Sequence, residues 1–159
     1  MDSSPLTKKQ LEQRLLTLHQ VSLQLVQDIS IDSLLEKIAA LACQEADARY
    51  GAVSIVNEQK EIERFISVGM TRAEIDEVSH SPVGKGLLGA VIQSREPVRV
   101  ANVAEDPRAV GFPVGHPLMT SFLGVPIRQG EQVLGQIFLT NKISGAEFTD
   151  DDRLVIEML

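Results

Sequence analysis

Three histidines, one cysteine and one acidic run are the side chains in this 159-residue chain whose types lend themselves to chemistry. His116 lies in Gly111-Phe112-Pro113-Val114-Gly115-His116-Pro117, where the flanking prolines restrict the backbone. On its own it reads as a loop histidine hydrogen-bonded to backbone. His19 falls between Leu18 and Gln20 on a helical pattern and reads as solvated, while His80, just before Pro82 at a helix end, suits the negative end of that helix's dipole. Neither has a partner at metal-ligand spacing. Cys43 is the sole cysteine, which excludes an intramolecular disulfide and a multi-thiolate metal site. Its place beside the apolar face of a helix predicts a buried, inert thiol. Asp150-Asp151-Asp152 follows Thr149 where a helix opens, so capping and dipole compensation account for it better than metal binding.

The glycines of Gly84-Lys85-Gly86-Leu87-Leu88-Gly89 lack the spacing of a phosphate-binding loop and read as a turn into a helix. There is no G-x-S-x-G, no H-E-x-x-H and no kinase catalytic block. Catalysis is not expected from this chain, which reads as a regulatory module and not an enzyme.

The elements that must position these residues follow from periodicity. Thr7 to Ile29 contains no Gly or Pro, and Leu11, Leu15, Leu18, Ser22, Leu25 and Ile29 alternate by four and three, as in a coiled-coil seam. That helix either packs on its own domain or joins two subunits. A second helix carries Leu34, Leu35, Ile38 and Leu41, with Ser33 and Glu36 spaced as a capping box. A hairpin follows, Gly51–Val56 and Glu61–Val68 around a polar turn, then short helices over Arg72–Val78 and Leu87–Gln93 and a strand at Pro97–Val100. A second hairpin joins Phe122–Arg128 to Val133–Thr140. The last helix, capped by Thr149, reaches Leu159 after about two turns with its apolar positions still unmatched, and is expected to end at an engineered boundary inside a longer protein.

Between the strands, Ala101 to Ser121 holds Pro107, Pro113 and Pro117 together with Val110, Phe112, Val114, Leu118 and Met119. Irregular segments of this length inside a domain are usually functional or disordered, and the apolar content predicts a lid over a ligand. The fold class expected is α/β (α+β): an antiparallel sheet with helices at one face and a ligand-covering lid at the other. A signalling or dimerisation helix at 1–30 precedes a domain at 31–159.

Composition narrows the partners. Hydrophobic residues make up 43% of the chain but aromatic ones only 4%, so aliphatic side chains must fill the core. The net charge of −7 and the lack of a basic cluster argue against nucleic acid or an anionic membrane surface. No apolar run approaches a membrane span, and the chain reads as cytoplasmic.

Phe122-Leu-Gly-Val-Pro-Ile-Arg, Gly130, Val133-Leu-Gly-Gln-Ile-Phe-Leu-Thr-Asn-Lys and Gly145-Ala-Glu-Phe-Thr-Asp-Asp-Asp152 together resemble the C-terminal half of a GAF domain, and Pro82 to Gly89 resembles its central motif. The resemblance covers about residues 30 to 159 and implies a sensory domain of a bacterial signalling protein, such as a sensor histidine kinase in a two-component system. Asp106-Pro107 and Gly111 to Pro126 are similar to the lid of the haem-binding GAF domains of dormancy-type oxygen and redox sensor kinases. That similarity implies haem b, with His116 as proximal iron ligand, apolar walls from Phe112, Val114, Leu118, Met119 and Phe122, and a diatomic gas or a change of redox state as signal. Phe138 stands where those sensors carry a tyrosine, and their polar first-strand positions fall at about Ser54 and Val56. Asn141-Lys142, Phe148 and Asp152-Arg153 resemble the N-K…F-x-x-x-D-E pattern of cyclic-nucleotide GAF domains, with Arg153 replacing Glu and expected to disrupt the motif's salt bridge. A bilin would need a cysteine near the pocket, unlike Cys43. The alternatives are a cofactor-free module forming a homodimer through the N- and C-terminal helices, or one binding another small ligand such as a cyclic nucleotide.

Overall fold

The computed structural model describes residues 7–27, 30–78 and 84–159. It divides into two compact units, Met1–Leu34 and Leu35–Leu159. In the first, α1 (Lys8–Gln27) begins where Thr7 and Gln10 exchange hydrogen bonds. Leu11, Leu15, Leu18 and Val21 are exposed along it. The side chains of Ser22, Leu25 and Ile29 lie outside the described residues, as do His80 and Pro82.

Helix α2 (Ile31–Ala46) opens three residues earlier than a Ser33 cap would allow. Ser30 is the cap: its Oγ accepts from Ser33 N at 3.1 Å and its carbonyl from Leu34 N. Ser33 therefore sits inside the first turn, and the expected Ser33–Glu36 box does not form. The remaining elements keep the predicted order: β1 (Ala48–Val56), β2 (Ile62–Val68), α3 (Arg72–Glu77), α4 (Gly86–Ser94), β3 (Val98–Val100), a short 3-10 turn at Val103–Glu105, β4 (Phe122–Gln129), β5 (Gln132–Lys142) and α5 (Asp150–Glu157).

The five strands form one antiparallel sheet in the order β2-β1-β5-β4-β3. Alternation along each strand sends successive side chains to opposite faces. On one face Val53, Leu123, Val125, Ile137 and Leu139 pack against Leu35, Ala39, Ala42 and Ala46 of α2, with Phe148 just before α5 and Ile156 within it. The alanines let α2 lie close: a Cβ added to Gly51 would meet Cys43 Sγ. The other face carries Tyr50, Ala52, Phe122 and Phe138, covered in part by Leu87 and Val91 of α4. Helices thus occupy both faces, and the lid shares its face with α3 and α4.

Thr149 caps α5 in a reciprocal box with Asp152. Lys142 Nζ donates to both Asp152 oxygens, at 2.8 and 2.9 Å, and to the Ala46 carbonyl at 3.1 Å, joining the ends of β5, α2 and α5. The salt bridge expected to be lost is therefore formed. It uses Asp152, whereas Arg153 faces outward to Asp150 and Glu157.

Candidate functional site

A cavity of about 600 Å³ lies between the sheet and the 101–121 segment. Its floor is Tyr50, Ala52, Phe65, Phe138 and Thr140, all on one side of the sheet. Phe138 is central, with ring centroids 6.4 Å from Phe65 and 6.0 Å from Phe122. Gly86, Leu87 and Leu88 of α4 form one wall, and Ile75 and Val78 at α3 form another. The volume falls within the range of small-molecule sites.

The lid is fixed at both ends and turned inward between them. Val103, buried in the 3-10 turn, donates its N–H to Thr120 O at 2.7 Å, drawing the two ends of the segment together. Asp106 accepts from Arg108 N, Nε and Nη2 at 2.8–2.9 Å, and these bonds hold its carboxyl down to about 2. At the far end Asn141, with φ +60°, donates from Nδ2 to Leu118 O and accepts at Oδ1 from Thr120 N, both at 2.9 Å. Ser121 Oγ accepts from Lys142 N.

His116 reaches the cavity wall. A turn closed by His116 N to Pro113 O brings it there, and Gly115 at φ +81° makes the turn possible, since a Cβ would strike the Glu77 carbonyl. The imidazole stacks on Phe112 with centroids 4.6 Å apart, and its Nδ1 lies 2.9 Å from Pro117 O. A protonated Nδ1 donating to that carbonyl leaves Nε2 as the free lone pair.

Of the other expected lining residues, Phe112, Met119, Phe122 and Phe138 line the cavity. Val114 and Leu118 do not: they are 83% and 80% exposed. The extended chain after the His116 turn alternates, so Met119 and Ser121 point inward and Leu118 and Thr120 outward. Val114 sits on the outer side of that turn. Ser54 and Val56 also fall outside the lining. Ser54 is buried further along β1, donating to Gln136 Oε1, while Gln136 Nε2 has no hydrogen-bond partner among the described residues.

Among the polar lining residues that escaped sequence reasoning, Thr140 and Tyr50 make side-chain hydrogen bonds. Thr140 donates to Met119 Sδ at 3.0 Å. Tyr50, buried on the floor, donates its hydroxyl to Glu74 Oε1 at 3.0 Å. Burial and the Glu74 bond raise the Tyr50 phenol, keeping it a donor, against an opposing pull from Arg49. Neither contact has a local sequence signal, since the partners are about twenty residues apart.

The sequence profile of the GAF domain family matches residues 28–159. The chain belongs to the GAF family. Solved structures agree on the fold. The GAF domain of an Acinetobacter phosphoenolpyruvate-protein phosphotransferase is 21% identical with a TM-score of 0.66, covering 96% of this chain and 89% of that one. The free methionine-R-sulfoxide reductase of Neisseria meningitidis, solved with its substrate, is 18% identical with a TM-score of 0.63, covering 85% and 77%. The second GAF domain of DevS from Mycobacterium smegmatis is 20% identical with a TM-score of 0.56, covering 79% and 84%. The similarity spans GAF domains of larger proteins and a reductase, so the site of this GAF domain must be read from its own residues. Among the described residues no helix is long and apolar enough to cross a membrane, and no group of three or more metal-ligating side chains converges.

Proposed function

We propose that this GAF domain is a cytoplasmic sensory module whose signal is a small ligand held beneath the 101–121 lid, and that the ligand is haem b bound through His116. The observation that carries the proposal is the histidine itself, turned onto an apolar cavity wall with Nδ1 engaged by a backbone carbonyl and Nε2 left available. A bare metal ion needs several protein ligands, and no such set converges among the described residues. A metalloporphyrin brings four nitrogens and asks for one axial donor and apolar walls, which this donor set fits. His116 would hold the iron, while Phe112, Met119, Phe122 and Phe138 would exclude water from the macrocycle. When bound, the group would supply a site for a diatomic gas or for a change of redox state. Phe138 offers no hydrogen bond to such a gas. Movement of the lid would alter an attached output domain, such as a histidine kinase.

A reductase reading, as in the Neisseria protein, would need a redox-active side chain at the cavity, and the one cysteine of this chain does not lie there. Cys43 lies across the sheet from the cavity, behind Gly51, and burial pushes its thiol up to about 11. A second reading, dimerisation without cofactor, draws on the exposed Leu11, Leu15 and Leu18 of α1, a face of the kind that pairs with a second copy.

The test is the absorption spectrum of the purified protein after haemin titration. A Soret band that disappears in His116→Ala supports haem ligation; a colourless protein that fails the titration overturns it. Equilibrium sedimentation tests the second reading, which requires a dimer weakened by Leu18→Lys and fails if the protein is monomeric at every concentration.

A further inference from the structure

The cavity has two covers, and only one of them was visible in the sequence. Besides the lid, α3 overhangs it through Ile75 and Val78. No residue of α3 is buried, and Ile75 is 47% exposed, so hydrophobic packing does little to hold this helix down. Among the described residues, its polar attachment to the sheet runs through the Glu74 side chain. Glu74 Oε1 accepts from Tyr50 on the cavity floor at 3.0 Å, with Arg49 Nη2 4.0 Å from the same oxygen. Glu74 Oε2 meanwhile accepts from Thr71 N at 2.7 Å, closing a capping box, and the Thr71 hydroxyl accepts from Glu74 N. One carboxylate therefore both starts the helix and ties it to the sheet. The two covers also touch: the backbone of Gly115, next to His116, packs directly on the carbonyl of Glu77.

We propose that Tyr50 and Glu74 form a latch that keeps α3 over the cavity and sets how often this side of the site opens, making Tyr50 a positioning residue for ligand entry. The importance of that opening rests on the cavity being the ligand site; the latch does not. Passage past α3 requires the Tyr50–Glu74 bond to break, and because Gly115 rests on Glu77, release of α3 removes a support of the His116 turn. A charge-assisted hydrogen bond of this kind makes opening about ten- to a hundredfold rarer than it would be without it.

The test uses the full chain without ligand and compares wild type with Tyr50→Phe, which keeps the ring in the floor and removes only the hydroxyl. Millisecond-resolved hydrogen exchange should show the amides of Ile75 to Val78 exchanging at least tenfold faster, with those of α2 and β5 unchanged. Glu74→Gln, which preserves the capping box but not the charge, should give a smaller acceleration confined to the same amides. Unchanged α3 exchange in Tyr50→Phe overturns the latch, and so does an equal acceleration in α2 and β5, which would mark a general loss of stability. Stopped-flow haemin association then reads the consequence, with faster uptake expected for Tyr50→Phe. A protein that takes up no haemin refutes the ligand assignment while the exchange comparison still decides the latch.

Discussion

Replacing Lys142 with methionine should be the most damaging single change to a charged residue in this domain. Lys142 and Asp152 side chains are each only 12% exposed, and the ammonium makes three hydrogen bonds, two to the carboxylate and one to the end of α2. Methionine preserves the stem and its packing near Phe148 but leaves Asp152 charged in a half-dry site and the Ala46 carbonyl without its donor. Removing one partner of a buried pair costs about 3–5 kcal/mol, and the residual exposure here points to about 3. For a chain of this size that lowers Tm by roughly 6–12 °C. Urea unfolding followed by circular dichroism measures the loss directly. Adding Asp152→Asn removes the stranded charge yet keeps an acceptor for Thr149 N, so the double variant should be more stable than Lys142→Met alone by about 1 kcal/mol or more. A loss below about 0.5 kcal/mol for Lys142→Met, or a double variant less stable than the single one, would refute the reasoning.

Arg153→Glu should leave the urea midpoint close to that of wild type in the same assay, because its partners Asp150 and Glu157 lie at the surface. Asp106 should titrate at about 2 by NMR. Its folded-state value lies below the ordinary one, so the stabilisation is complete above about pH 4 and disappears as pH falls through 2; a midpoint near 4 would mean that the Arg108 tether is not formed in solution. Cys43, with its thiol near 11, should be only about one part in a thousand thiolate at pH 8 and alkylate slowly until the protein is unfolded in urea; equal rates in the folded and unfolded protein would contradict its partial burial. Gly115→Ala should cost more than about 1 kcal/mol, through positive φ and collision with the Glu77 carbonyl, and an unchanged Tm would show that the lid does not rest on α3.

Periodicity carried the fold well because it reports burial. Alternation in Ile62, Arg64, Ile66 and Val68 marks a strand, and Thr149 ahead of three aspartates marks the start of α5. Strand ends were less legible: β1 begins at Ala48 because it pairs with Lys142 and Thr140 across the sheet, and pairing partners leave no local trace. The lid exposed the same limit at the site. Apolar composition indicated that the segment covers something, but Val114 and Leu118 face outward while Met119 faces in, a choice made by the His116 turn and the Asn141 clamp. Tyr50 and Glu74 were invisible because their bond spans 24 residues of sequence. Arg153 misled for the opposite reason, drawing attention from Asp152, the residue that makes the bridge.

The sheet works as a partition. On the α2 side lies a close-packed aliphatic core with Phe148 and Ile156 buried in it; on the other side lie the cavity and the two segments that cover it. Substitutions on the cavity floor at Ala52, Phe138 or Thr140 project away from the residues that carry most of the helix packing. A domain divided in this way can exchange one ligand for another over evolutionary time without having to rediscover how to fold.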